Sequence, residues 1–375
     1  MRHWKLMATI PTVVLHRPPL VGQTAPRQAS AAQDTAALRP VDQLGRPLRE
    51  LRVSVTDRCN FRCDYCMPAA LFADERRFLP NRELLTFDEI ERVVRVAAED
   101  LGVVKVRLTG GEPLLRPHLS ELVARLARLP SLDELTLTTN GLLLAQHAPQ
   151  LKAAGLDRIT VSLDSLDPLE FARMSGGIDG LARVLAGIDA ASAAGFGAIK
   201  LNCVVVRGQN EGAVTALAQR FRGTPHIVRF IEYMDVGTQN RWRAEQVIDA
   251  REITATLARH WPLEALPPNY AGEVARRYRY LDGAGEVGVI ASVSEPFCGK
   301  CHRARLSADG RLLTCLFAET GTPLKPALRE HADDGALRDL LCDTWRARGD
   351  RYSEARSTLA AATPRRRLEM YQVGG

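Results

Sequence analysis

The stretch 54–68, SVTDRCNFRCDYCMP, places three cysteines within eight residues. Cys59, Cys63 and Cys66 form a C-x3-C-x2-C pattern directly after LRVSV (51–55), an apolar, β-branched segment typical of a strand. Three thiolates can hold three corners of a cubane iron–sulfur cluster. Three cysteines also bind zinc when a distant fourth ligand completes the site. The stretch therefore predicts a metal centre in the loop after the first strand and leaves two metals open.

The residues that follow alternate between strand-like and helix-like segments. TFDEIERVVRVAAEDLG begins with Thr86 as a helix N-cap and Glu89 as its capping-box partner. Six strand–helix units in series predict a parallel sheet with helices outside it, but six units are too few to close an eight-stranded barrel. We therefore expect a partial (β/α)6 TIM-like barrel with its active residues at the carboxyl ends of the strands. The predicted strands span 51–55, 103–108, 134–139, 158–163, 198–206 and 226–232.

The strand–helix pattern changes near Trp261, and LPPNY (266–270) is typical of a linker. Shorter strand candidates follow, including a hairpin signal at Asp309-Gly310. The sequence therefore predicts a barrel domain over residues 43–265 and a smaller, β-rich C-terminal domain over residues 266–375.

The first 42 residues form a third region. They contain no acidic residue before Asp34 and carry several basic residues among Ala, Pro, Ser and Gln. An organellar transit peptide has such a composition, but Pro11, Pro18 and Pro19 break any long amphipathic helix. We predict a disordered extension over residues 1–42.

Composition and charge narrow the function class. The chain has 375 residues, of which 46% are hydrophobic and 25% charged, an ordinary globular balance. Its net charge of +6 suits anionic ligands and does not by itself argue for nucleic acid. No apolar run approaches the roughly 20 residues that a membrane-spanning helix needs. Six of the eight cysteines fall in two clusters without a preceding secretory signal, so we expect a reducing, cytoplasmic setting.

A second motif, TGGEPLLRP (109–117), follows the second predicted strand. Its paired glycines let the backbone approach a ligand closely, and Glu112 can pair with an ammonium group. Combined with the three-cysteine motif one strand earlier, it resembles the motifs of radical S-adenosylmethionine (SAM) enzymes. In that family three cysteines hold a [4Fe–4S] cluster, and the amino and carboxylate groups of SAM bind its fourth iron. The resemblance implies that SAM is the missing ligand and is cleaved to a 5′-deoxyadenosyl radical.

Three further cysteines, Cys298, Cys301 and Cys315, form a C-x2-C-x13-C pattern in the C-terminal domain. A zinc ribbon that lacks its fourth ligand would show similar spacing. His302 could complete it, although its position directly after Cys301 makes a tetrahedral arrangement awkward. Beside a radical SAM core, an auxiliary iron–sulfur cluster is the favoured interpretation.

The resemblance narrows to the GTP 3′,8-cyclase family of molybdenum cofactor biosynthesis. It covers about residues 43–375 and is carried by several motifs in order. These motifs are LTTNG (137–141), VSLDS (161–165), RFIEYMDVG (229–237), FCGKCHRARLSADGRLLTCLF (297–317) and the terminal Gly-Gly.

This resemblance implies a role for each matching residue. It places a SAM-binding [4Fe–4S] cluster on the first cysteine triplet and an auxiliary [4Fe–4S] cluster, which binds the guanine of GTP, on the second. SAM contacts fall on Tyr65, Gly111, Ser162 and Met234. GTP contacts fall on Arg52, Lys105, Arg107, Thr138, Lys200, Arg229, Arg303 and Arg305. The catalytic set comprises Arg303 and Arg305, one of which supplies a proton, and the tail residues Gly374 and Gly375, which reach into the active site.

The basic residues support an anion site on physical grounds as well. Lys105 and Arg107 are two residues apart on one strand and therefore lie on the same face of it. They face the barrel lumen if their apolar neighbours face the helices. Basic side chains inside a barrel are costly unless an anion meets them, and arginine pairs with phosphate in a bidentate way. A lone arginine more often forms a surface salt bridge, so the prediction of an anion site depends on several basic residues converging.

A C-terminal tail more often frays, so the role of the two terminal glycines depends on the resemblance alone.

The resemblance also implies a reaction and partners. The radical removes the 3′ hydrogen of GTP, C3′ attacks C8 of guanine, and reduction gives (8S)-3′,8-cyclo-7,8-dihydroguanosine 5′-triphosphate. A flavodoxin or ferredoxin would donate electrons, a cyclic pyranopterin monophosphate synthase would consume the product, and the chain would form a homodimer. Two alternatives remain open at this point: a two-cluster radical SAM enzyme that matures a peptide, and a zinc-binding module that uses its basic surface on RNA.

Overall fold

The structure of the protein, a computed structural model, describes residues 39–67, 78–238, 240–330, 332–359 and 367–374. Most of the predicted extension, residues 1–38, lies outside these ranges. Residues 39–42 lie inside them, where Val41 pairs with Pro47 in an isolated bridge and the Asp42 side chain is buried. The described fold thus includes four residues that the sequence assigned to the extension.

The described residues form twelve strands and eleven α-helices. The strands are β1 (Glu50–Ser54), β2 (Lys105–Thr109), β3 (Glu134–Thr139), β4 (Arg158–Ser162), β5 (Lys200–Val205), β6 (Ile227–Glu232), β7 (Leu263–Leu266), β8 (Arg276–Tyr280), β9 (Glu286–Ile290), β10 (Arg303–Leu306), β11 (Arg311–Leu313) and β12 (Thr322–Pro323). The helices are α1 (Phe87–Glu99), α2 (Leu119–Leu126), α3 (Leu144–Ala153), α4 (Pro168–Met174), α5 (Leu181–Ala193), α6 (Ala213–Phe221), α7 (Ala250–His260), α8 (Lys325–Arg329), α9 (Asp334–Arg346), α10 (Tyr352–Leu359) and α11 (Met370–Val373).

The local signals in the sequence explain where these elements begin and end. Helix α1 starts at the capping box of Thr86 and Glu89, in which each side chain accepts a hydrogen bond from the other residue's backbone N–H. The helices that precede β2, β4 and β5 end near Gly102, Gly155 and Gly195, which all have a positive φ. These end points set where each following strand begins.

The predicted parallel barrel strands are confirmed. Strands β1 to β6 lie side by side in chain order and run parallel. Their outward side chains, such as Val53, Val106 and Leu137, are fully buried in the main apolar core with the helices. Because side chains alternate along a strand, the intervening polar residues face the lumen.

The C-terminal strands extend this same sheet at both edges, whereas the sequence suggested a separate small cap. Strand β10 pairs in parallel with β1, and β9 pairs in parallel with β6. The full order is β12-β11-β10-β1-β2-β3-β4-β5-β6-β9-β8-β7, with no pairing between its two ends among the described residues. The barrel therefore stays open, and the second cysteine triplet is brought beside β1.

Candidate active site

One cavity of about 300 Å³ brings the two cysteine triplets together. All six cysteines line it, although 232 residues separate Cys66 from Cys298 in the chain. The other predicted site residues on its wall are Arg52, Tyr65, Arg107, Gly111, Thr138, Ser162, Arg229, Met234, Arg303 and Arg305. Lys105 and Lys200 line a second cavity instead, of about 1050 Å³, which Arg229 also borders.

The first triplet lies on a loop that packs closely against the glycine pair after β2. The backbone N–H of Gly111 donates to the Thr56 carbonyl at 2.8 Å, and that of Glu112 donates to the Arg58 carbonyl at 2.8 Å. A Cβ atom at Gly110 or Gly111 would collide with these same carbonyl groups. The glycines are therefore required for the cysteine loop to lie against β2, in addition to any ligand contact.

Glu112 is buried at the base of this loop. Its carboxylate accepts hydrogen bonds from the Thr139 hydroxyl at 2.7 Å, the Asn140 N–H at 2.7 Å and the Leu114 N–H at 3.0 Å. Burial nevertheless raises its pKa to about 7. A cationic ligand group beside Glu112 would favour the ionised form.

Asp164 is a residue of the site that the sequence prediction missed. Its Oδ2 accepts the Tyr65 hydroxyl at 2.7 Å and its Oδ1 accepts the Val204 N–H at 2.9 Å, so it ties the cysteine loop to β5. Burial raises its pKa to about 6. The only signal in the sequence was its place in VSLDS, two residues after Ser162 at the end of β4.

The second triplet is held by buried charges. Cys298 and Cys301 lie on a short turn before β10, and Cys315 follows β11. Arg46 donates to the Cys298 carbonyl at 2.6 Å, and Arg348 donates to the Cys301 carbonyl at 2.8 Å. Asp42 accepts from both arginines, at 2.6 and 3.0 Å. This Asp42–Arg46–Arg348 triad therefore fixes the second cysteine loop from the N-terminal segment and from the end of α9.

All six cysteines are free thiols and half-buried, so each is available as a ligand. The backbone N–H groups of Phe61 and Phe317 point at Cys59 Sγ and Cys315 Sγ, at 3.4 and 3.5 Å, and would stabilise thiolates there. Three thiolates can hold three corners of a cubane cluster, with each thiolate on a different iron.

A row of arginines crosses the lumen beside the second triplet. Arg305, Arg52 and Arg107 are direct register partners on β10, β1 and β2. Arg107 also donates to the Thr138 hydroxyl at 3.1 Å. Burial lowers the pKa of Arg52 to about 10, because removing the charged group from water is costly. The row is therefore a concentration of positive charge at the cavity wall.

Glu50 is the acidic partner of this row and was also missed from sequence. Its carboxylate accepts Arg52 Nε at 3.1 Å and Arg107 Nε at 3.5 Å. Burial alone would raise its pKa, but Arg52, Arg107 and two further basic neighbours hold it well below its usual range. The signal was present, since Glu50 and Arg52 lie on the same face of β1.

Lys200 and Arg229 are basic groups without a matching anion. Neither makes an ion pair with another residue in the described part of the chain, and Arg229 Nε is buried without a hydrogen-bond partner. Burial, with nearby basic groups, lowers the pKa of Lys200 to about 6 and that of Arg229 to about 9. An anionic ligand would remove this penalty.

The C-terminal tail enters the same region. Arg305 donates to the carbonyls of Val373, at 3.2 Å, and of Gly374. Gly374 has a φ of 73°, and a Cβ atom there would collide with Thr109. The tail therefore passes between β10 and β2 where a side chain would not fit. Gly375 lies outside the described residues.

None of the helices among the described residues is long and apolar enough to cross a membrane.

Comparisons with known proteins identify the family. The Radical SAM superfamily model matches residues 53–221, and the Molybdenum Cofactor Synthesis C model matches residues 226–354. A GTP 3′,8-cyclase from Acidothermus cellulolyticus is 52% identical, with 89% of this chain and 98% of that protein covered. Those from Xanthomonas axonopodis pv. citri and Staphylococcus haemolyticus are 53% and 44% identical over the same shares.

The fold has a matching solved structure. Streptococcus suis SuiB bound to S-adenosylmethionine superimposes with a TM-score of 0.58 at 17% identity, covering 83% of this chain and 68% of that one. This likeness supports the partial-barrel architecture. Family membership supports SAM and an iron–sulfur cluster as cofactors and decides against the zinc-binding RNA module. The chain belongs to the GTP 3′,8-cyclase family of the radical SAM superfamily.

Proposed function

We propose that this chain is a radical SAM GTP 3′,8-cyclase that carries out the first step of molybdenum cofactor biosynthesis. The observation that carries the proposal is the single cavity that joins both cysteine triplets to a wall of buried arginines. One triplet and its acidic neighbours suit a cationic sulfonium, and the other with its basic neighbours suits a nucleoside triphosphate.

The first triplet is the proposed site of the SAM-binding cluster. Cys59, Cys63 and Cys66 would hold the cluster and leave a site on it for SAM, and the bound SAM would supply the 5′-deoxyadenosyl radical that removes a hydrogen atom. Tyr65, Gly111, Ser162 and Met234 would contact the SAM. Glu112, which is buried behind this loop and does not itself line the cavity, would favour the positive charge of SAM through space.

The second triplet is the proposed site of an auxiliary [4Fe–4S] cluster that orients guanine. Cys298, Cys301 and Cys315 open onto the same cavity, so a base bound there faces the SAM side. Arg303 donates to Cys301 Sγ at 3.8 Å and stabilises its thiolate form. With burial opposing, Arg303 and Arg348 lower the pKa of Cys301 to about 6, which favours metal ligation near neutral pH.

The lumen basic residues are the proposed triphosphate site. Lys105, Lys200 and Arg229 border the larger cavity, Arg52 and Arg107 line the smaller cavity with the cysteines, and Arg229 borders both. We propose that GTP extends from the second triplet past Arg229 along the lumen. Thr138 holds Arg107 in position by their hydrogen bond.

The residues then guide a ring closure. Removal of H3′ from GTP leaves a carbon radical that attacks C8 of guanine, and one electron and one proton complete the product. Arg303 or Arg305 is positioned to donate that proton, and Gly374, held by Arg305, closes the space beside the ribose. We assign the same role to Gly375.

The remaining partners belong to this proposal as well. A flavodoxin or ferredoxin supplies the electrons, and a cyclic pyranopterin monophosphate synthase takes the product. We place the protein in the cytoplasm as a homodimer. GTP, rather than a peptide, is the proposed substrate because a peptide would not explain the unpaired basic groups Lys200 and Arg229.

The proposed function is tested with anaerobically reconstituted protein, SAM and dithionite, with and without GTP. We expect the cyclised triphosphate to form only when GTP is present, and 5′-deoxyadenosine to form much faster with GTP than without it. Calorimetry that compares the binding of GTP with the binding of an unrelated basic peptide distinguishes this proposal from the peptide-maturing alternative. Absence of GTP-dependent 5′-deoxyadenosine would overturn the proposal.

A further inference from the structure

The C-terminal tail is tied to the loop that follows β6. We call residues 233–238 the β6 loop. It contains Met234, the proposed SAM contact, and it meets residues 367–369 of the tail through two sets of polar contacts. Neither set uses Gly374 or the arginines of β10.

The first set centres on Asp235. Its side chain accepts the Tyr352 hydroxyl at 2.5 Å, Arg356 Nε at 2.8 Å and Arg367 at 3.2 Å. Arg367 also donates to the Asp235 backbone carbonyl at 3.0 Å and lies over the Tyr352 ring, 4.3 Å from its centroid. Asp235 therefore joins the β6 loop to helix α10 and to the start of the tail.

The second set centres on Glu369, which is buried. Its Oε1 accepts the backbone N–H and the hydroxyl of Thr238, each at 3.0 Å. Its other oxygen lies against Gly237, which has a φ of 76° and where any Cβ atom would collide with this carboxylate. The β6 loop is therefore shaped to receive the Glu369 side chain.

These anchors lie directly before the part of the tail that enters the active site. Tyr371 packs with Met67 and Phe78 beside the first cysteine loop, and Val373 is fully buried. Gly374 follows, under Arg305 and against Thr109. Only four residues lie between Glu369 and Gly374, so the position of Glu369 limits where Gly374 can lie.

We propose that Asp235 and Glu369 are positioning residues that latch the C-terminal tail to the β6 loop and thereby hold Gly374 and Arg305 in their active arrangement. The proposal rests on the proposed function for its catalytic consequence, although the latch itself is independent of it. The latch also ties the tail to the loop that carries Met234.

The test compares three variants of the reconstituted, anaerobic holoenzyme. Glu369→Ala removes both acceptor contacts, Glu369→Gln keeps an Oε1 acceptor, and Glu330→Ala is a control on an exposed glutamate at the end of α8. One readout is the rate at which carboxypeptidase releases Val373, followed by intact mass. The other is kcat for GTP-dependent 5′-deoxyadenosine formation, with iron content and the KM for SAM as checks.

We expect Glu369→Ala to accelerate the release of Val373 about ten- to a hundredfold, since contacts to a charged group are lost, and to lower kcat by a similar factor at unchanged iron content. Glu369→Gln should stay within about threefold of wild type, because a neutral hydrogen bond replaces the charged one. Thr238→Val, which removes only the hydroxyl donor, should give a smaller change of the same sign. The Thr238→Val variant also keeps the test valid if Glu369→Ala does not fold.

Two results would overturn the latch. One is release of Val373 from both Glu369→Ala and Thr238→Val at the wild-type rate. The other is accelerated release with an unchanged kcat, which would leave the contacts purely structural. If wild-type protein makes no cyclised product, the proposed function fails, while the release rates still decide the latch.

Discussion

The two cysteine triplets share a cavity but have opposite electrostatic surroundings. Around the first, burial and the carboxylate of Glu112 raise the pKa of Cys59 to about 12. In the second, Arg303 and Arg348 outweigh burial at one cysteine and lower the pKa of Cys301 to about 6, whereas burial still raises the pKa of Cys315 to about 11. The contrast therefore lies between Cys59, which has an acidic neighbour, and Cys301, which has basic neighbours.

This contrast matches the charges of the two proposed ligands. SAM carries a positive sulfonium, which carboxylates such as Glu112 and Asp164 favour, whereas GTP carries a triphosphate, which arginines favour. The surroundings therefore predict which ligand binds at which triplet. Changes at one triplet should affect SAM chemistry, and changes at the other should affect GTP chemistry.

The largest expected effect comes from removing one cysteine of each triplet. Cys63→Ala should abolish 5′-deoxyadenosine formation, because the first cluster is lost. Cys301→Ala should lose the cyclised product while dithionite still drives some SAM cleavage without GTP. Iron analysis should show a loss of about four irons per chain in each variant. Equal loss of SAM cleavage in both variants would contradict the proposal that the first triplet serves SAM and the second serves GTP.

Next in size is a stability change confined to the second loop. Asp42→Ala leaves Arg46 buried without its counter-charge and leaves Arg348 with only Asp350, at 3.6 Å. Breaking such a buried pair costs about 3–5 kcal/mol. We expect a lower urea midpoint and preferential loss of the second cluster's iron. Asp42→Asn, which keeps the hydrogen-bond acceptor, serves as the control and should be intermediate. A midpoint equal to wild type for Asp42→Ala would show that the triad does not hold this loop.

A smaller effect is expected for one lysine of the triphosphate site. Lys200→Met removes a buried cation that would contact phosphate, so the KM for GTP should rise about ten- to a hundredfold. The KM for SAM should stay the same, and Lys152→Met, on α3 outside both cavities, should change neither. Steady-state kinetics provides both constants. A parallel rise in the KM for SAM would contradict the proposal that Lys200 belongs to the GTP site and not to the SAM site.

The smallest effect concerns the pH dependence of SAM binding. Burial raises the pKa of Glu112 to about 7, so this carboxyl gains its negative charge as the pH rises through that value. The KM for SAM should therefore fall, by up to about tenfold, between about pH 6 and about pH 8. In Glu112→Gln the KM should remain near its acidic value at every pH. A wild-type profile that is flat, or that rises with pH, would show that Glu112 does not meet a cation.

Much of the fold could be predicted because its signals are local. Parallel strands buried on the helix side leave apolar, β-branched segments, and capping residues such as Thr86 and Gly102 mark helix ends. The two triplets and the lumen basic residues were likewise visible as patterns. The edge positions of β9 and β10 were not, because their partners β6 and β1 are chosen by long-range packing that no short segment encodes.

The missed residues share a different cause. Asp42 and Glu369 are single acidic residues with partners distant in the chain, Arg348 and Thr238, so each looks like an ordinary surface carboxylate in the sequence. Glu50 has one partner two residues away, Arg52, but its other partner, Arg107, lies on β2. Asp42 was even assigned to the extension. Only the three-dimensional arrangement shows that each one compensates or anchors a group at the site.

The central claim is that the two triplets act on one substrate across one cavity. It is tested most directly with GTP deuterated at C3′, incubated anaerobically with SAM, dithionite and the two-cluster protein. The account predicts that 5′-deoxyadenosine gains one deuterium in step with the cyclised triphosphate. Unlabelled 5′-deoxyadenosine, formed at the same rate with and without GTP, would contradict it.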